Sequence, residues 1–319
     1  MAPPRLDWES RIGQRVKLRD LHVLSAVVRW GSMVKAASQL AMSQSSVSEA
    51  IASLEDALRV RLLDRSPHGV APTIYADALL RRGHAVFDEL RQGISEIEFL
   101  ADSTKGEVRI ACPELLSAGL LPAAIDRLSR QYPKIVVRVA PLDTTTLEFP
   151  ELHERKVDLA LARIRRTFVN EDLNIEILLD DPLFVVAGAH SRWARRRKIT
   201  LGELTKEPWI FPPNHGAMEL IREAFAAHGL EVPEESVSAA PILLRNHLLA
   251  TGRFLTMLPD SVMRYTAKPL SLKILPIDLR IRPWPLAILT LKHRTLSPVV
   301  QLFTEQLRAV AKTITSRQR

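Results

Sequence analysis

A single cysteine, Cys112, stands among 319 residues, so no intramolecular disulfide can form. The lone thiol fits a reducing cytoplasm. Its neighbours Val108, Ile110 and Ala111 read as a buried strand, which makes Cys112 a small core residue rather than a reactive one. No uninterrupted apolar run reaches the roughly 18 residues that a membrane span requires. The first residues, MAPPRLDWESRIGQR, alternate charge without an apolar stretch, so neither a spanning helix nor an export signal is expected. Catalytic constellations are missing as well: there is no G-x-S-x-G, no glycine-rich phosphate loop and no H-E-x-x-H. His153-Glu154 lacks a second histidine four residues on, and the nine histidines are scattered. The expectation is a protein of the cytoplasm that is not an enzyme and carries no cofactor, no metal and no membrane partner.

What is present is the composition of a globular chain, 46% apolar and 25% charged. Its length implies two or three units, each with its own core. The net charge of +8 favours a polyanionic partner such as nucleic acid, although an anionic membrane surface would attract the same charge.

Along the chain, residues 1–16 read as a loose arm. Leu21, Leu24 and Val28 recur at helical spacing, and the helix stops at Gly31. Ser32 is placed to cap a second helix, Met33 to Leu40, and Ser43 a third, from Gln44 to Leu58, with Val47, Ile51, Leu54 and Leu58 on one face. Three short helices with a tight turn between the last two make a helix-turn-helix. Two extended pieces follow around Ser66-Pro67-His68-Gly69 and read as a hairpin wing. From Ile74 to Ala101 no proline interrupts. Leu80, Phe87 and Ile94 fall at one heptad position and Gly83, Leu90 and Ile97 at another. That spacing suits either a helix that pairs with a second copy or one packed on its own domain. After Gly106, strands and helices alternate, which implies parallel sheets covered on both faces, in two lobes with a ligand-sized crevice between them.

The most specific stretch runs from Gly31 to Ser48. Ala36-Ala37 are small where two helices approach, and Gln44, Ser45, Ser46 and Ser48 crowd the first turns of the third helix with short hydrogen-bonding groups. Those turns are what reaches base edges in the major groove, where glutamine can pair bidentately with adenine. The bland alternative, that serines are merely good caps, is the preferred role for Ser43.

At these residues the chain resembles the LysR-type transcriptional regulators. The pattern Gly-Ser…Ala-Ala…Leu…Ser-Gln-Ser…Val-Ser…Ile…Leu-Glu runs through Leu54-Glu55 and continues in Leu62-Leu63-Asp64-Arg65 and Pro72-Thr73. A looser match extends through Leu121-Pro122, Asp158-Leu159-Ala160-Leu161 and Leu258-Pro259. The resemblance implies a winged helix-turn-helix over 1–73, a linker dimerisation helix and hinge over 74–105, and an effector-binding domain over 106–319. The last has a two-lobed fold like that of periplasmic binding proteins, lobe I at about 106–164 and 268–319, lobe II at about 165–267. It also implies a bacterial regulator that binds double-stranded promoter DNA as a dimer and tetramer, recruits RNA polymerase, and answers to a small-molecule effector between its lobes.

For DNA, the candidate residues are Ser32, Lys35, Ser43, Gln44, Ser45, Ser46, Ser48, Glu49 and Arg65. Glu49 departs from the basic or polar residue common in the family. It repels phosphate but can accept from cytosine. Arg59 stands where the family has a helix-ending glycine, at a cost if that position needs a positive φ. For the effector, the loop after the first strand of the domain carries Glu114 and Ser117, and Glu114 would oppose an anion. Asp143-Thr144-Thr145-Thr146 is expected to open a helix, with Thr144 and Thr145 offering hydroxyls to an anion or a sugar, or serving as ordinary caps. By resemblance, Arg163, Phe211, Asn214 and Arg245 also lie near the cleft. The run Arg192, Arg195, Arg196, Arg197, Lys198 reads as a solvated loop.

Overall fold

A computed structural model describes residues 15–66, 69–144, 147–213, 215–268 and 270–315. The greater part of the N-terminal arm, the wing-tip residues Pro67 and His68, and the candidate residues Thr145 and Asn214 lie outside them.

Helical spacing of apolar residues builds the first unit. Helices α1 (Leu18–Trp30), α2 (Met33–Gln39) and α3 (Gln44–Leu58) close around Leu24, Val27, Ala36, Val47, Ile51 and Leu54, all fully buried. Helix α1 ends on Gly31 in the left-handed region, φ 62°. The tight turn into α3 places Ala41 at φ 51°. The wing is the antiparallel pair β1 (Leu63–Ser66) and β2 (Gly69–Pro72). It lies hard against the α1–α2 turn, where Val70 N–H donates to the Gly31 carbonyl at 2.9 Å. A Cβ on Gly69 would come within 2.7 Å of that same oxygen, so only glycine fits there. Thr73 caps α4 (Ile74–Ala101), accepting from Ala76 N–H at 3.3 Å and donating to the Arg61 carbonyl at 2.8 Å. At 1.5 Å per residue α4 is about 42 Å long.

The chain divides into two compact units between Leu90 and Arg91, inside α4. The expected separate linker is therefore shared out. Leu79, Leu80 and Phe87 pack on the first unit's core, and Phe99 on that of the second. Each half of the helix has found an apolar surface to cover.

In the second unit, β3 (Lys105–Cys112), β4 (Lys134–Pro141), β5 (Leu159–Arg163), β6 (Leu173–Asp181) and β12 (Trp284–Leu291) form one sheet in the order β4-β3-β5-β12-β6. The second sheet, ordered β11-β7-β10-β8-β9, takes β7 (Leu183–Gly188), β8 (Trp209–Phe211), β9 (Glu235–Ser238), β10 (Leu255–Pro259) and β11 (Leu272–Ile274). Both sheets are mixed rather than parallel throughout. β12 runs antiparallel to β5 and β6, and β7 antiparallel to β10 and β11. These are the strands on either side of the two passages between lobes, so their direction is set by the passage and not by a crossover helix.

That corrects the lobe boundaries. β6 belongs to the first sheet and β11 to the second, so the chain changes lobe at Pro182 and again over 275–283, not near 165 and 268. Only Pro182 separates β6 from β7, and a residue without an N–H interrupts a ladder where the strand changes sheet. The helices are α5 (Glu114–Ser117), α6 (Leu120–Gln131), α7 (Pro150–His153), α8 (His215–Ala226), α9 (Ile242–Ala250), α10 (Asp260–Thr266) and α11 (Pro298–Thr315). α6 and α11 cover one face of the first sheet through Leu121, Leu128, Phe303 and Leu307.

Candidate nucleic-acid interface and effector cleft

The start of α3 is a capped helix terminus with its free side outward. Ser43 Oγ accepts from Ser46 N–H at 3.1 Å and lies 2.8 Å from Ser45 Oγ and 2.9 Å from Ser46 Oγ. The three hydroxyls thus hold the first turn. Gln44, Ser45 and Glu49 are exposed. Ser48 is turned the other way: half-buried, it donates to Met33 Sδ at 3.4 Å and belongs to the α2–α3 packing. Ser32 likewise is a cap, accepting from Lys35 N–H at 3.4 Å, while the Lys35 side chain and Arg65 on the wing are exposed. Arg59 closes α3 at φ 55°, the left-handed conformation that suits glycine better. Glu55 has a role its type alone does not reveal. Its Oε1 accepts from Leu62 N–H at 2.7 Å and Leu63 N–H at 3.3 Å, which fixes the wing to the recognition helix.

Beyond its first turn, where Ile74 and Tyr75 are open, α4 exposes Val86, Leu90, Ile94, Ile97 and Leu100, the last two 67% and 79% exposed. Leu90, Ile94 and Ile97 belong to the expected seam. Leu80 and Phe87, expected in the same seam, are instead partly buried against the first core. Among the described residues no helix is long and apolar enough to cross a membrane, and no group of three or more His, Cys, Asp or Glu could hold a metal ion.

The second unit separates the expected effector residues into three places. At the first, Glu114 Oε1 reaches across from lobe I and accepts from Ile242 N–H, the first residue of α9, at 3.1 Å. The chain's own carboxylate thus sits where a helix terminus would attract an anion. Ser117 Oγ is engaged with the Glu114 carbonyl at 2.6 Å. Arg245, on α9, is buried and donates from Nη2 to Thr256 Oγ1 at 3.2 Å. Burial pulls its guanidinium down to about 10, and the nearby Glu114 charge opposes that pull. Phe211, in the second place, is a core residue. Only 1% exposed, it stacks on Trp209 at 5.4 Å between centroids, so its ring offers no face to a ligand.

The third place is the hinge. Arg163, at the end of β5, donates from Nη2 to the Asp181 carbonyl at 3.0 Å, and its Nε lies 3.3 Å from Asp181 Oδ2. Asp181 in turn accepts from Ser261 N–H at 2.9 Å and Ser261 Oγ at 2.8 Å, at the start of α10. Burial pushes the Asp181 carboxyl up and the Arg163 guanidinium down, and their ion pair opposes both shifts. Arg163 also lines a cavity of about 150 Å³ between the two passages that join the lobes. The expected helix after Asp143 starts only at Pro150, because Pro at N1 suits a helix start and Phe149 precedes it in the left-handed region. Half-buried Thr144 is therefore not at a helix terminus.

Two further groups escaped sequence reasoning. Asp158, 3% exposed at the side chain, accepts from Arg294 Nη2 at 2.6 Å, Arg109 Nη2 at 2.7 Å and Arg109 N–H at 2.8 Å. Arg91 of α4 lies 3.6 Å away. Burial pushes Asp158 up, but the hydrogen bonds and charge of Arg109 and the charge of Arg294 outweigh it and hold the carboxyl below its usual range. Arg165 bridges to Glu219 and Glu223 of α8 at 2.5 and 2.9 Å and lies over the Trp284 ring. None of these partners is near in sequence, so no local pattern announced them. In the cationic run, Arg192 and Arg196 flank the Trp193 ring at 5.2 and 5.3 Å, and Arg195, Arg197 and Lys198 are exposed. Burial pushes the Cys112 thiol up to about 12, which keeps it protonated and unreactive.

Comparison with known proteins agrees with this architecture. Residues 18–77 match the family model described as bacterial regulatory helix-turn-helix protein, lysR family, and residues 101–312 match the LysR substrate binding domain. The HTH-type transcriptional regulator GbpR of Azospirillum brasilense is 25% identical over 98% of this chain and 92% of its own. A full-length OxyR variant from Pseudomonas aeruginosa superposes with a TM-score of 0.66 at 19% identity, covering 93% of this chain and 97% of that one. Full-length CbnR complexed with its target DNA gives a TM-score of 0.53 at 19% identity, over 93% of this chain and 100% of that one. With a family model matched over most of its length, this chain belongs to the LysR family of transcriptional regulators, an N-terminal helix-turn-helix joined to a two-lobed effector-binding domain.

Proposed function

We propose that this regulator binds partly palindromic promoter DNA as a dimer in the cytoplasm. The observation that carries the reading is the exposed start of α3, with Gln44, Ser45 and Glu49 outward, flanked by exposed Lys35 and Arg65. Gln44 and Glu49 read base edges, while Lys35 and Arg65 neutralise phosphates. Ser32, Ser43, Ser46 and Ser48 act by holding the reading helix in place. CbnR, a relative in fold, is described in complex with its target DNA, which supports the same mode here. Two copies pair through the open stripe Leu90, Ile94, Ile97 and Leu100 of α4, whose apolar side chains need a cover. Dimers join into tetramers through their effector domains, and a small-molecule effector between the lobes alters the placement of the DNA-binding pairs and the recruitment of RNA polymerase. A ligand does this only by binding one arrangement more tightly than the other.

The test is a genome-wide map of occupied DNA followed by footprinting of the best sites at two salt concentrations. A few sharp promoter sites with spaced half-sites are expected. Diffuse occupancy that vanishes with salt would mean backbone binding alone and would overturn the reading.

A further inference from the structure

We propose that the cationic edge of the second lobe, centred on Arg195, Arg197 and Lys198, is a further nucleic-acid surface. It binds the phosphate backbone of double-stranded DNA outside the stretch read by α3. This goes beyond the reading above, which gives DNA to the N-terminal unit alone.

Over residues 189–207 six Lys or Arg stand against two carboxylates, Glu203 and Glu207. Both carboxylates are already engaged, Glu207 by Arg192 and Glu203 by Arg196 at 2.9 Å. Arg195, Arg197 and Lys198 are exposed, and among the described residues none of them has a carboxylate within ion-pair distance. The turn at Gly252 adds a fourth exposed cation, Arg253. It lies hard against the start of the run, since a Cβ on Gly252 would come within 3.1 Å of Ser191 N. The run is held rather than loose. Ser191 Oγ accepts from Trp193 N–H at 3.4 Å, Trp193 and Ala194 are buried on one side of it, and Ile199 and Leu201 on the other. A capping box between Thr200 and Glu203 fixes the far end. The cations from Arg195 to Lys198 are thus displayed between two anchors, which lowers the ordering cost of binding.

The chemistry of the patch selects its partner. Guanidinium groups present planar forks that match phosphate oxygens. No large apolar side chain is exposed between Ala189 and Glu207. A protein interface is built around buried apolar and aromatic anchors, and a helix or loop that lies on a membrane inserts an apolar face. Neither is offered here. A charged surface without an apolar centre suits a polyelectrolyte, which it binds by releasing condensed counterions. Such a contact is weak alone, but DNA already held by the recognition helix raises the local concentration of its own flanking duplex.

The experiment measures the affinity of the full-length protein across a salt series for a duplex of arbitrary sequence of about 200 base pairs, longer than one persistence length and so able to bend back. The variant combines Arg195→Gln, Arg197→Gln and Lys198→Gln, exposed positions whose loss leaves no carboxylate stranded. Its plot of log affinity against log salt is expected to be shallower by about 2–3, each lost phosphate contact being worth about 0.9. A matched control, Arg222→Gln with Lys292→Gln and Lys312→Gln, removes three exposed cations elsewhere and is expected to keep the wild-type slope. Arg195→Lys with Arg197→Lys retains the charge and is expected to retain the slope. Should the triple variant fail to melt cooperatively, Lys198→Gln and Arg253→Gln singly are each expected to lower the slope by about 1. Equal slopes in wild type and variants overturn the proposal. So does an equal fall in the matched control, which would reduce the effect to net charge. An unchanged slope accompanied by weaker binding of purified RNA polymerase would assign the patch to an acidic protein and overturn it as well.

Discussion

In the N-terminal unit Lys35, Gln44, Ser45, Glu49 and Arg65 lie exposed over a largely apolar core, whereas the effector unit keeps Asp158, Asp181, Arg245 and Arg294 buried. The first arrangement separates recognition from folding. An exposed side chain can change what the helix reads while the buried residues beneath hold the fold. The second arrangement joins the two, because removing one member of a buried charge cluster strands its partners in a medium of low polarity. The two units should therefore respond to substitution in different currencies: altered DNA preference in one, altered stability in the other.

The largest effect is expected at Asp158. Asp158→Asn leaves the fully buried Arg294 and the Arg109 guanidinium without their carboxylate, at a cost of about 3–5 kcal/mol for a broken buried pair. Thermal melting followed in the effector unit should fall accordingly; an unchanged melt would show that buried charge is dispensable there. The same residue sets an acid limit. Its carboxyl is held below the usual range in the folded protein, so its contribution is fully present above the unfolded value of about 3.9. It is lost as pH falls through the lower folded value. Asp158→Asn should flatten that part of the stability profile in acid titrations.

Gln44→Ala comes next, and its effect should appear in recognition alone. Loss of a bidentate base contact reduces discrimination at one base pair by about 1–3 kcal/mol, measured by competition between operator variants, with the melting temperature unmoved. If binding to the best site stays the same, Gln44 does not read a base. Ser43→Ala tests the border between the two behaviours, since it removes a cap but no base contact. About 1 kcal/mol of stability should go from the N-terminal unit, with affinity falling equally for all DNA sequences. Arg59→Gly is expected to do the reverse at the other end of α3. Relief of the left-handed penalty, less the greater freedom of glycine when unfolded, should add somewhat under about 1 kcal/mol on chemical denaturation.

Much of the N-terminal unit was legible because its signals are local. Ser43 is three residues from the N–H it caps, Val47, Ile51 and Leu54 recur at one helix face, and Gly31 ends its helix, so α3 and α4 begin and end where the pattern places them. Even there, Ser48 reads as a surface residue until Met33 is found beside it. In the effector unit, alternation of strands and helices was visible, but β9 and α10 were not, and β6 and β11 were assigned to the wrong lobes. Phe211 resembled a cleft residue and is core.

By itself the sequence determined the order of elements, the capped recognition helix with its outward Gln44, and the family, because each depends on residues within a few turns of one another. Only the tertiary structure decided which strands share a sheet, that Glu114 reaches Ile242 across 128 positions, that Asp158 meets Arg294, and that Arg163 borders a hinge cavity. Those facts are set by strand pairing and burial between distant segments, where the partner's identity is written nowhere near the residue it holds.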